Sequence, residues 1–390
     1  MLKISEVKTT EEFLLLEKDW NNLLSRSSSD TVFLTWEWLF SWWEIYGQKS
    51  VLRILLAKDD KGSLVGIAPC MIRHQRLIGF VRLRVIQFIG CHSVASEYLD
   101  FICLKGWEEK IANSFFAFFI NSRDWDLLFF YRLPETSATI GFLNDDKKNS
   151  KLYSLTTRLE DSLYISLPQS WNDYFLTLSQ NTRHNIRRYR KRIEETMEGT
   201  FTERHSFGDR SMTDMISLHQ VRMENIGRLG SFASHQFVRF HQSIAKRFTN
   251  QGWLRMFFLE INDKNVAVRY GYNYGSKFYD YSTGFDPEHE KYYVGFVLLG
   301  YCIEKCIKEG IKEFDFLGEG SYKERWNVMN RKKRSMVVSC SRHNLNLYRG
   351  VEATERLLAS QIKNLIPKRF YQKLRNLKQR IMIRFNKPLR

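Results

Sequence analysis

The sequence is poor in proline and cysteine and lacks several catalytic motifs, and each absence argues against a class of protein. Only 6 of the 390 residues are proline, which argues against long disordered linkers. The 6 cysteines include no C-x-x-C pair, so nothing indicates a disulfide framework or a zinc site. No G-x-S-x-G, H-E-x-x-H or P-loop motif occurs, which disfavours serine hydrolases, zinc proteases and P-loop NTPases.

Long apolar runs and negative charge are also scarce. No run approaches the ~18 apolar residues that a membrane-spanning helix needs, and residues 1–13 contain no apolar signal-peptide core. These absences predict a cytoplasmic protein. The chain has 60 Lys and Arg against 43 Asp and Glu, a formal net charge of +17. Such an excess favours acidic partners, namely coenzyme A phosphates, nucleotide-sugars, tRNA or an anionic membrane, without choosing among them.

What is present indicates two α/β domains. A single core rarely grows beyond ~250–300 residues, and two apolar strands around a charged turn occur twice, at 51–72 and again at 253–274. This repetition predicts two copies of a related unit. The polar stretch 144–151 marks the boundary. We therefore predict a first domain at 1–150, a second at 151–345 and a basic amphipathic tail at 346–390.

The most informative stretch is 279–326. Its pattern predicts a strand at 279–282, a loop at 284–294, a helix at 295–308 and a buried strand at 314–317. A strand, a crossover helix and a parallel strand leave a crevice at the carboxyl ends of the strands, where ligands usually bind. The helix beginning at Gly295 offers free N–H groups to a pyrophosphate, and glycine lets the backbone approach it closely.

Further elements follow from the same kind of pattern. Apolar and aromatic residues at 98–104 predict a strand. Helical spacing over 171–197 predicts one long helix.

Several ionisable side chains lie in or near this stretch. Asp315 stands in an apolar strand, where a buried carboxylate must be paired or have a raised pKa, and it would accept a proton from an ammonium or orient an amine. His219 and Arg222, one helical turn apart, suit a general base and an anion anchor. Lys323 suits a donor phosphate or an oxyanion, and Tyr322 suits an acid for a leaving thiolate. Structural roles for Asp315 and His219 stay open.

The run 183–192 is mostly basic. On a helix, Arg183 and Arg187 share one face. They would form either a solvated helix surface or a clamp for a phosphorylated substrate, because guanidinium pairs bidentately with phosphate. Both interpretations stay open.

The chain also resembles a known family. The runs GFDP (284–287), VGFVLLGYCIEKC (294–306) and LHQVRMEN (218–225) are similar to sequences of the BioF2-like, or CelD/BcsL-type, acetyltransferases. These belong to the GNAT superfamily and are related to the Fem-type peptidoglycan aminoacyltransferases. The resemblance recurs at 33–43 and 178–192. It implies two GNAT-like (acyl-CoA N-acyltransferase) units with mixed sheets, followed by the basic helical tail.

The function that the resemblance implies is direct acyl transfer. Acetyl-CoA or another acyl-CoA would be a co-substrate, no cofactor or metal would be bound permanently, and the acceptor would be an amine or hydroxyl of a sugar or cell-envelope precursor. The residues with implied roles are Gly284, Val294, Gly295 and Lys323 for the donor, Arg183, Arg187 and Arg222 for the substrate, and Asp315, His219 and Tyr322 for catalysis.

Two alternatives stay open. Val294 stands where the family has proline, and the multiple glycines of the GNAT phosphate loop are absent, which allows a Fem-like ligase that uses aminoacyl-tRNA on a peptidoglycan precursor. The other alternative is a non-catalytic GNAT-like scaffold that binds an anionic polymer or a membrane. The basic tail, which has no acidic residue after Glu355, would either hold the protein at the inner face of the membrane or form a helix that packs on the catalytic domain with a solvated basic face.

Overall fold

A computed structural model of the chain describes residues 2–77, 81–145, 151–208 and 210–365. Helices and strands are mixed along these ranges, which confirms the predicted α/β fold class. The chain divides into two compact units. Unit 1 takes in the described residues of Met1–Glu160 and Lys332–Arg390, and unit 2 takes in those of Asp161–Arg331.

Unit 1 is built on a mixed sheet, with elements numbered in chain order. Its strands are β1 (Lys3–Val7), β2 (Ser50–Lys58), β3 (Leu64–Leu77), β4 (Val81–Phe88), β5 (Ile102–Cys103), β6 (Leu127–Pro134) and the later part of β13 (Met329–Ser339). The strand order is β1-β2-β3-β4-β6-β13, with β5 beside β3. Only β4 and β6 are parallel. Its helices are α1 (Thr10–Leu14), α2 (Glu17–Leu24), α3 (Trp36–Tyr46), α4 (Glu108–Ser122), α5 (Ala138–Leu143) and α11 (Arg342–Leu365).

Unit 2 also contains strands of mixed direction. Its strands are the end of β7 (Tyr153–Ser166), β8 (Thr200–Arg204), β9 (Leu254–Ile261), β10 (Lys264–Tyr274), β11 (Lys277–Phe285) and β12 (Glu313–Asp315), in the order β8-β9-β10-β11-β12-β7. Only β11 and β12 are parallel. Its helices are α6 (Trp171–Thr177), α7 (Gln180–Lys191), α8 (Ser211–Asn225), α9 (His235–Asn250) and α10 (Val294–Lys308).

The strands of the two units follow one plan. In each unit three antiparallel pairings are followed by one parallel pairing and one more antiparallel strand. In each unit a helix, α4 or α10, lies in the crossover between the parallel strands. In unit 2 the apolar positions of α10 supply this packing, because Leu298, Ile303 and their helical neighbours are buried in one core with Phe257 and Trp326. The repetition predicted from the sequence is therefore present in the strand order.

Two predicted elements are wrong in part. The single helix 171–197 is two helices, because Ser179 adopts an extended backbone and its side chain accepts the N–H of Thr182 as the N-cap of α7. A π-helical turn, Arg192–Thr196, then follows α7. The strand 98–104 is reduced to Ile102–Cys103, since Tyr98 has a φ of 56°, outside the range of an extended strand.

The division between the units differs from the predicted boundaries at 150 and 345. Residues Lys333–Val338 pair with β6 in unit 1, so the chain re-enters that unit at Lys332. The start of α11 also packs there, with Leu345 against the core that contains Val85 and Leu127. Of the predicted tail, residues 366–390 lie outside the described residues, as do residues 146–150 of the predicted polar boundary.

Candidate functional site

The parallel strands of unit 2 separate after only three paired residues. Pairing runs from Lys277 opposite Glu313 to Tyr279 opposite Asp315. Beyond this point β11 continues to Phe285, whereas β12 ends and the chain turns away. Among the described residues, the edge of β11 from residue 280 to 285 therefore has no strand partner on the β12 side. We call this splayed edge the crevice, because it lies at the carboxyl ends of the strands, where the sequence predicted one.

Helix α8 packs closely on this part of β11 at Gly284. A Cβ atom built on Gly284 would lie 2.4 Å from the backbone N of His219 and 2.5 Å from the carbonyl carbon of Leu218. Only glycine permits this approach of helix to strand. The structure therefore gives Gly284 a packing contact with α8, and its role in donor binding stays a prediction.

His219 is held in a largely apolar position by this contact. The residue is 9% exposed, its ring lies edge-on to Phe232 with centroids 5.0 Å apart, and its Nδ1 is 3.2 Å from the side-chain oxygen of Gln220. Burial lowers the pKa of His219, and the charge of Arg222 lowers it further. The imidazole is therefore neutral at neutral pH and able to accept a proton.

Arg222, one turn further along α8, reaches the open edge of β11. Its Nη1 donates to the carbonyl oxygen of Thr283 at 3.3 Å, and its guanidinium lies 5.1 Å from the centroid of the Phe285 ring. Burial lowers the pKa of Arg222, and the nearby Tyr322 side chain opposes that shift. Because arginine keeps its charge despite this shift, the guanidinium is a cation held at the crevice.

Tyr322 approaches the same position from the loop after β12. The residue is 41% exposed, yet burial of its phenol raises the pKa of Tyr322, and the charges of Arg269 and Arg222 oppose the increase. Tyr322 and Arg222, two of the predicted site residues, are therefore near enough for their charges to interact. A protonated phenol in the crevice can donate a proton to a leaving group.

Beneath these residues lies an ion pair that the sequence analysis missed. Arg269 of β10 is 2% exposed and donates from Nη1 to Asp280 of β11, which is 8% exposed. The negative charge of Asp280 raises the pKa of Arg269 despite its burial. The one available signal was the presence of opposite charges on two successive apolar strands.

The start of α10 completes the crevice. Its N-cap residue, Tyr293, has φ 56° and ψ 34° and gives the helix no side-chain cap. The N–H groups of Phe296 and Val297 bond back to the carbonyl of Tyr293, so the N–H groups of Val294 and Gly295 belong to the first turn, which a helix leaves without intrahelical acceptors. Because the Val294 side chain is buried, only its backbone can meet a ligand. Two N–H groups at a positive helix end suit an anion.

Gly295 and Arg222 both lie against the ring of Phe285. A Cβ on Gly295 would lie 3.5 Å from Phe285, an ordinary contact, so packing does not demand glycine here. Phe285 thus lies between the start of α10 and the guanidinium of Arg222.

Asp315 and Lys323 are engaged within the chain. Asp315 is fully buried; one carboxylate oxygen accepts the N–H of Leu317 at 2.8 Å and the other pairs with Arg331 at 3.0 Å. Lys323 is 7% exposed and donates to the carbonyl oxygens of Phe316 and Gly318, each at 3.0 Å. These contacts anchor the loop that carries Tyr322.

Arg183 and Arg187 contact α6. Arg183 donates from Nη1 to the carbonyl oxygens of Leu176 and Leu178, both at 2.9 Å, and so satisfies the end of α6. Arg187 lies 4.9 Å from the ring centroid of Phe175. The structure brings neither into contact with Arg222, and their substrate role stays a prediction.

A buried hydroxyl network lies on α9 and β10. His241 is fully buried, with its Nδ1 3.2 Å from the hydroxyl of Tyr270, which accepts from Tyr272 at 3.1 Å. Burial is the main cause, and the positive charge that His219 gains in acid the second, of the lowering of the pKa of His241 to about 3. This network was missed because histidine and tyrosine at such spacing are ordinary core residues. Among the described residues, no three His, Cys, Asp or Glu side chains are grouped to hold a metal ion.

Comparison with protein families gives one match. Residues 180–326, which include every site residue described above, match the family model for the "Acetyltransferase (GNAT) domain". This part of unit 2 is thus similar to GNAT acetyltransferase domains. A comparison of the whole sequence with curated proteins finds no significant match.

Solved structures share the fold over most of the chain. FemX aligns with a TM-score of 0.60 at 11% identity, over 90% of this chain and 100% of FemX. A conserved protein of unknown function from Bacteroides thetaiotaomicron gives 0.53 at 10% identity (87% and 100% covered), and L-PGS from Bacillus licheniformis gives 0.51 at 10% (87% and 96%). Identities this low establish the fold alone. With the repeated strand plan, they agree with the predicted fold of two GNAT-like units.

Proposed function

We propose that unit 2 transfers an acyl group from a nucleotide-linked donor to an amine or hydroxyl. The observation that carries the proposal is that Arg222 and the start of α10 both lie against Phe285 at the open edge of β11, with Tyr322 near enough for its charge to interact with that of Arg222. In this arrangement the N–H groups of Val294 and Gly295 take the donor phosphate, and Arg222 supplies the neighbouring positive charge.

The proposed reaction is a direct transfer. The acceptor nitrogen or oxygen attacks the carbonyl carbon and gives up its proton to neutral His219. The resulting oxyanion is stabilised by backbone N–H groups at the strand edge, and the carbon–sulfur bond then breaks as Tyr322 protonates the leaving thiolate. Most of the acceleration comes from orienting two bound substrates. His219 is preferred to Asp315 as the proton acceptor because both Asp315 oxygens are already engaged.

The proposed donor is an acyl-CoA, with acetyl-CoA first, and the proposed acceptor is a sugar or cell-envelope precursor. Both rest on the resemblance to BioF2-like, CelD/BcsL-type acetyltransferases. The second candidate is a Fem-like ligase that takes its acyl group from aminoacyl-tRNA; the fold shared with FemX and the net charge of +17 favour it. The third, a scaffold without activity, predicts that neither donor binds.

Calorimetric titration with acetyl-CoA and with an aminoacyl-tRNA separates the three. The test variant is Gly295→Asp, which places a negative charge at the proposed phosphate site and should abolish donor binding. Gly295→Ala is the matched control, because a Cβ at this position meets Phe285 at an ordinary 3.5 Å. Equal donor affinity in the two folded variants would remove the start of α10 from the site.

A second experiment identifies the proton acceptor. His219→Gln should lower kcat about 10²- to 10⁴-fold with little change in donor KM. Asp315→Asn should mainly lower the melting temperature, since it weakens the pair with Arg331. A folded Asp315→Asn protein of normal melting temperature that loses more turnover than His219→Gln would assign the proton to Asp315 instead.

The basic tail is proposed to bring the enzyme to the inner face of an anionic membrane. None of the described helices is long and apolar enough to cross a bilayer. Each basic residue near such a surface contributes ~1 kcal/mol, which salt reduces. The full chain should sediment with anionic vesicles at low salt, and a chain ending at Leu365 should do so less. Equal, salt-insensitive recovery of the two would exclude the tail as an anchor.

A further inference from the structure

Three tyrosines surround the start of α10. Tyr189 of α7 stacks on Tyr293, with ring centroids 4.3 Å apart and planes 29° apart. Tyr293 remains 48% exposed although one ring already contacts it. Tyr292 precedes it at the end of the 3₁₀ turn Pro287–Tyr292. We call these three residues the tyrosine platform.

Cations lie against the rings of the platform. Arg188 is 5.3 Å from the ring centroid of Tyr189, and Arg192 and Lys291 are 4.8 and 5.0 Å from that of Tyr292. All three cations are exposed. A large open aromatic surface with positive charge at its edge is what single-stranded nucleotides recognise, because a base stacks and its phosphates need cations.

Other basic residues of the same segment are used differently. Arg190 pairs with Glu304 at 2.6 Å and with Glu194 at 2.8 Å, and Lys191 pairs with Glu195 at 3.7 Å. In the described ranges no carboxylate pairs with the three cations of the platform. Their charge is therefore available to a ligand. Two carboxylates of the same turn, Glu288 and Glu290, limit the extent of this positive surface.

The backbone at the platform is also unusual. Tyr293 holds a left-handed conformation, which a bulky residue adopts at a cost and which is concentrated at functional sites. Arg192 opens the π-helical turn after α7, another local irregularity that is common at functional sites. Two irregular backbone segments thus place an aromatic and a cationic side chain against the same group of rings.

We propose that the tyrosine platform binds the adenosine phosphate part of the donor, with the base stacked on Tyr293 and a phosphate held by Arg192 and Arg188. The inference rests on the proposed function, because Tyr293 is the residue from which α10 begins and the donor phosphate is assigned to that helix end. The same chemistry comes from two sources: coenzyme A and the 3′ end of tRNA each carry adenosine next to phosphate.

The test is calorimetry on the full chain with two probes. Adenosine 3′,5′-bisphosphate represents the nucleotide of coenzyme A. An RNA hairpin with a single-stranded CCA end, compared with the same hairpin lacking the terminal adenosine, represents tRNA. Tyr293→Asn removes the ring while keeping a residue that tolerates the left-handed backbone. Arg192→Gln removes one charge, and Lys191→Gln is its matched control, since Lys191 is exposed and pairs with Glu195.

The expected result is a loss of nucleotide affinity of about 5- to 100-fold in Tyr293→Asn and of about 2- to 10-fold in Arg192→Gln. Lys191→Gln should bind as the wild type does. Preference for the bisphosphate assigns the platform to coenzyme A, and a preference for the hairpin that depends on its terminal adenosine assigns it to tRNA.

Outcomes that overturn this inference differ from those that overturn the proposed function. Wild-type protein that binds neither probe, or folded Tyr293→Asn protein that binds as tightly as wild type, refutes the platform even if acyl transfer proceeds. Protein that binds a probe through the platform yet transfers no acyl group from either donor refutes the proposed function and supports the platform.

Discussion

The parallel strand pair occurs in both units, but its surroundings differ. In unit 1 β4 and β6 pair over three residues, Val85–Gln87 with Leu127–Phe129, as β11 and β12 do in unit 2. The chain after β4 then fills the space beyond. His92, with φ 66°, stacks on Phe129 at 5.3 Å and lies 4.8 Å from Tyr131.

Unit 1 also places a buried ion cluster here. Glu97 and Lys333 are each 2% exposed and pair at 2.6 Å, and Arg132 bridges Glu97 and Glu160. In unit 2 the equivalent strand edge is met by Arg222 and an exposed tyrosine. The same strand plan therefore forms an open crevice only where the following loop leaves the strand ends uncovered. This is why we place the activity in unit 2.

The largest effect is expected from a substitution that breaks the ion cluster of unit 1. Glu97→Gln leaves Lys333 and Arg132 without their shared carboxylate, and breaking a buried pair costs about 3–5 kcal/mol of the free energy of unfolding. Urea denaturation should show this loss. In Glu135→Gln, where the pair with Arg334 is about a quarter to a third exposed, the change should stay within about 1 kcal/mol. Similar losses of unfolding free energy in the two variants would show that the buried cluster stabilises unit 1 no more than an exposed ion pair does.

A smaller effect is expected from crowding the contact between α8 and β11 in unit 2. Gly284→Ala forces a Cβ into the backbone of α8 and should cost about 1–3 kcal/mol. Turnover should fall as well, because α8 carries His219 and Arg222. Gly295→Ala should change neither stability nor turnover appreciably. Unaltered turnover in Gly284→Ala would mean that the position of α8 does not govern the site.

A pH-dependent effect is also expected, and the two units should respond in opposite directions. Burial raises the pKa of Asp100 in unit 1 to about 6. The stability this gives is fully present below the unfolded-state pKa of about 4 and is lost as the pH rises through 6. His241 in unit 2 has a pKa lowered to about 3, so its contribution is present above about 6.5 and is lost as the pH falls.

Asp100→Asn and His241→Phe test this difference. From pH 6 to pH 4 the free energy of unfolding of the wild type relative to Asp100→Asn should rise, and that relative to His241→Phe should fall. Each slope should reach up to about 1.4 kcal/mol per pH unit. Urea denaturation at pH 4, 5 and 6 measures both. Slopes of the same sign would refute the comparison.

The spacing of apolar residues predicted the helix and the strand that border the crevice, but not the contacts that the side chains make there. The helix predicted at 295–308 is α10, and the strand at 314–317 overlaps β12, because buried spacing is local information. The engagement of Asp315 by Arg331 and of Lys323 by loop carbonyls depends on how the chain folds back, and no spacing rule contains it. The packing role of Gly284 likewise requires α8, which lies some 60 residues earlier.

The pairing of β13 with β6 makes unit 1 discontinuous along the chain. Its last strand is encoded after the whole of unit 2, and Arg132 and Ser335, which meet in that pairing, are 203 residues apart. During synthesis the ribosome releases all of Asp161–Arg331 before it releases the strand that completes unit 1. Unit 2 can therefore assemble from an uninterrupted segment, whereas unit 1 must hold its edge at β6 open until residues 333–338 have been synthesised. A nascent chain stalled before Lys332 would contain the whole of unit 2, with its crevice, and an unfinished unit 1.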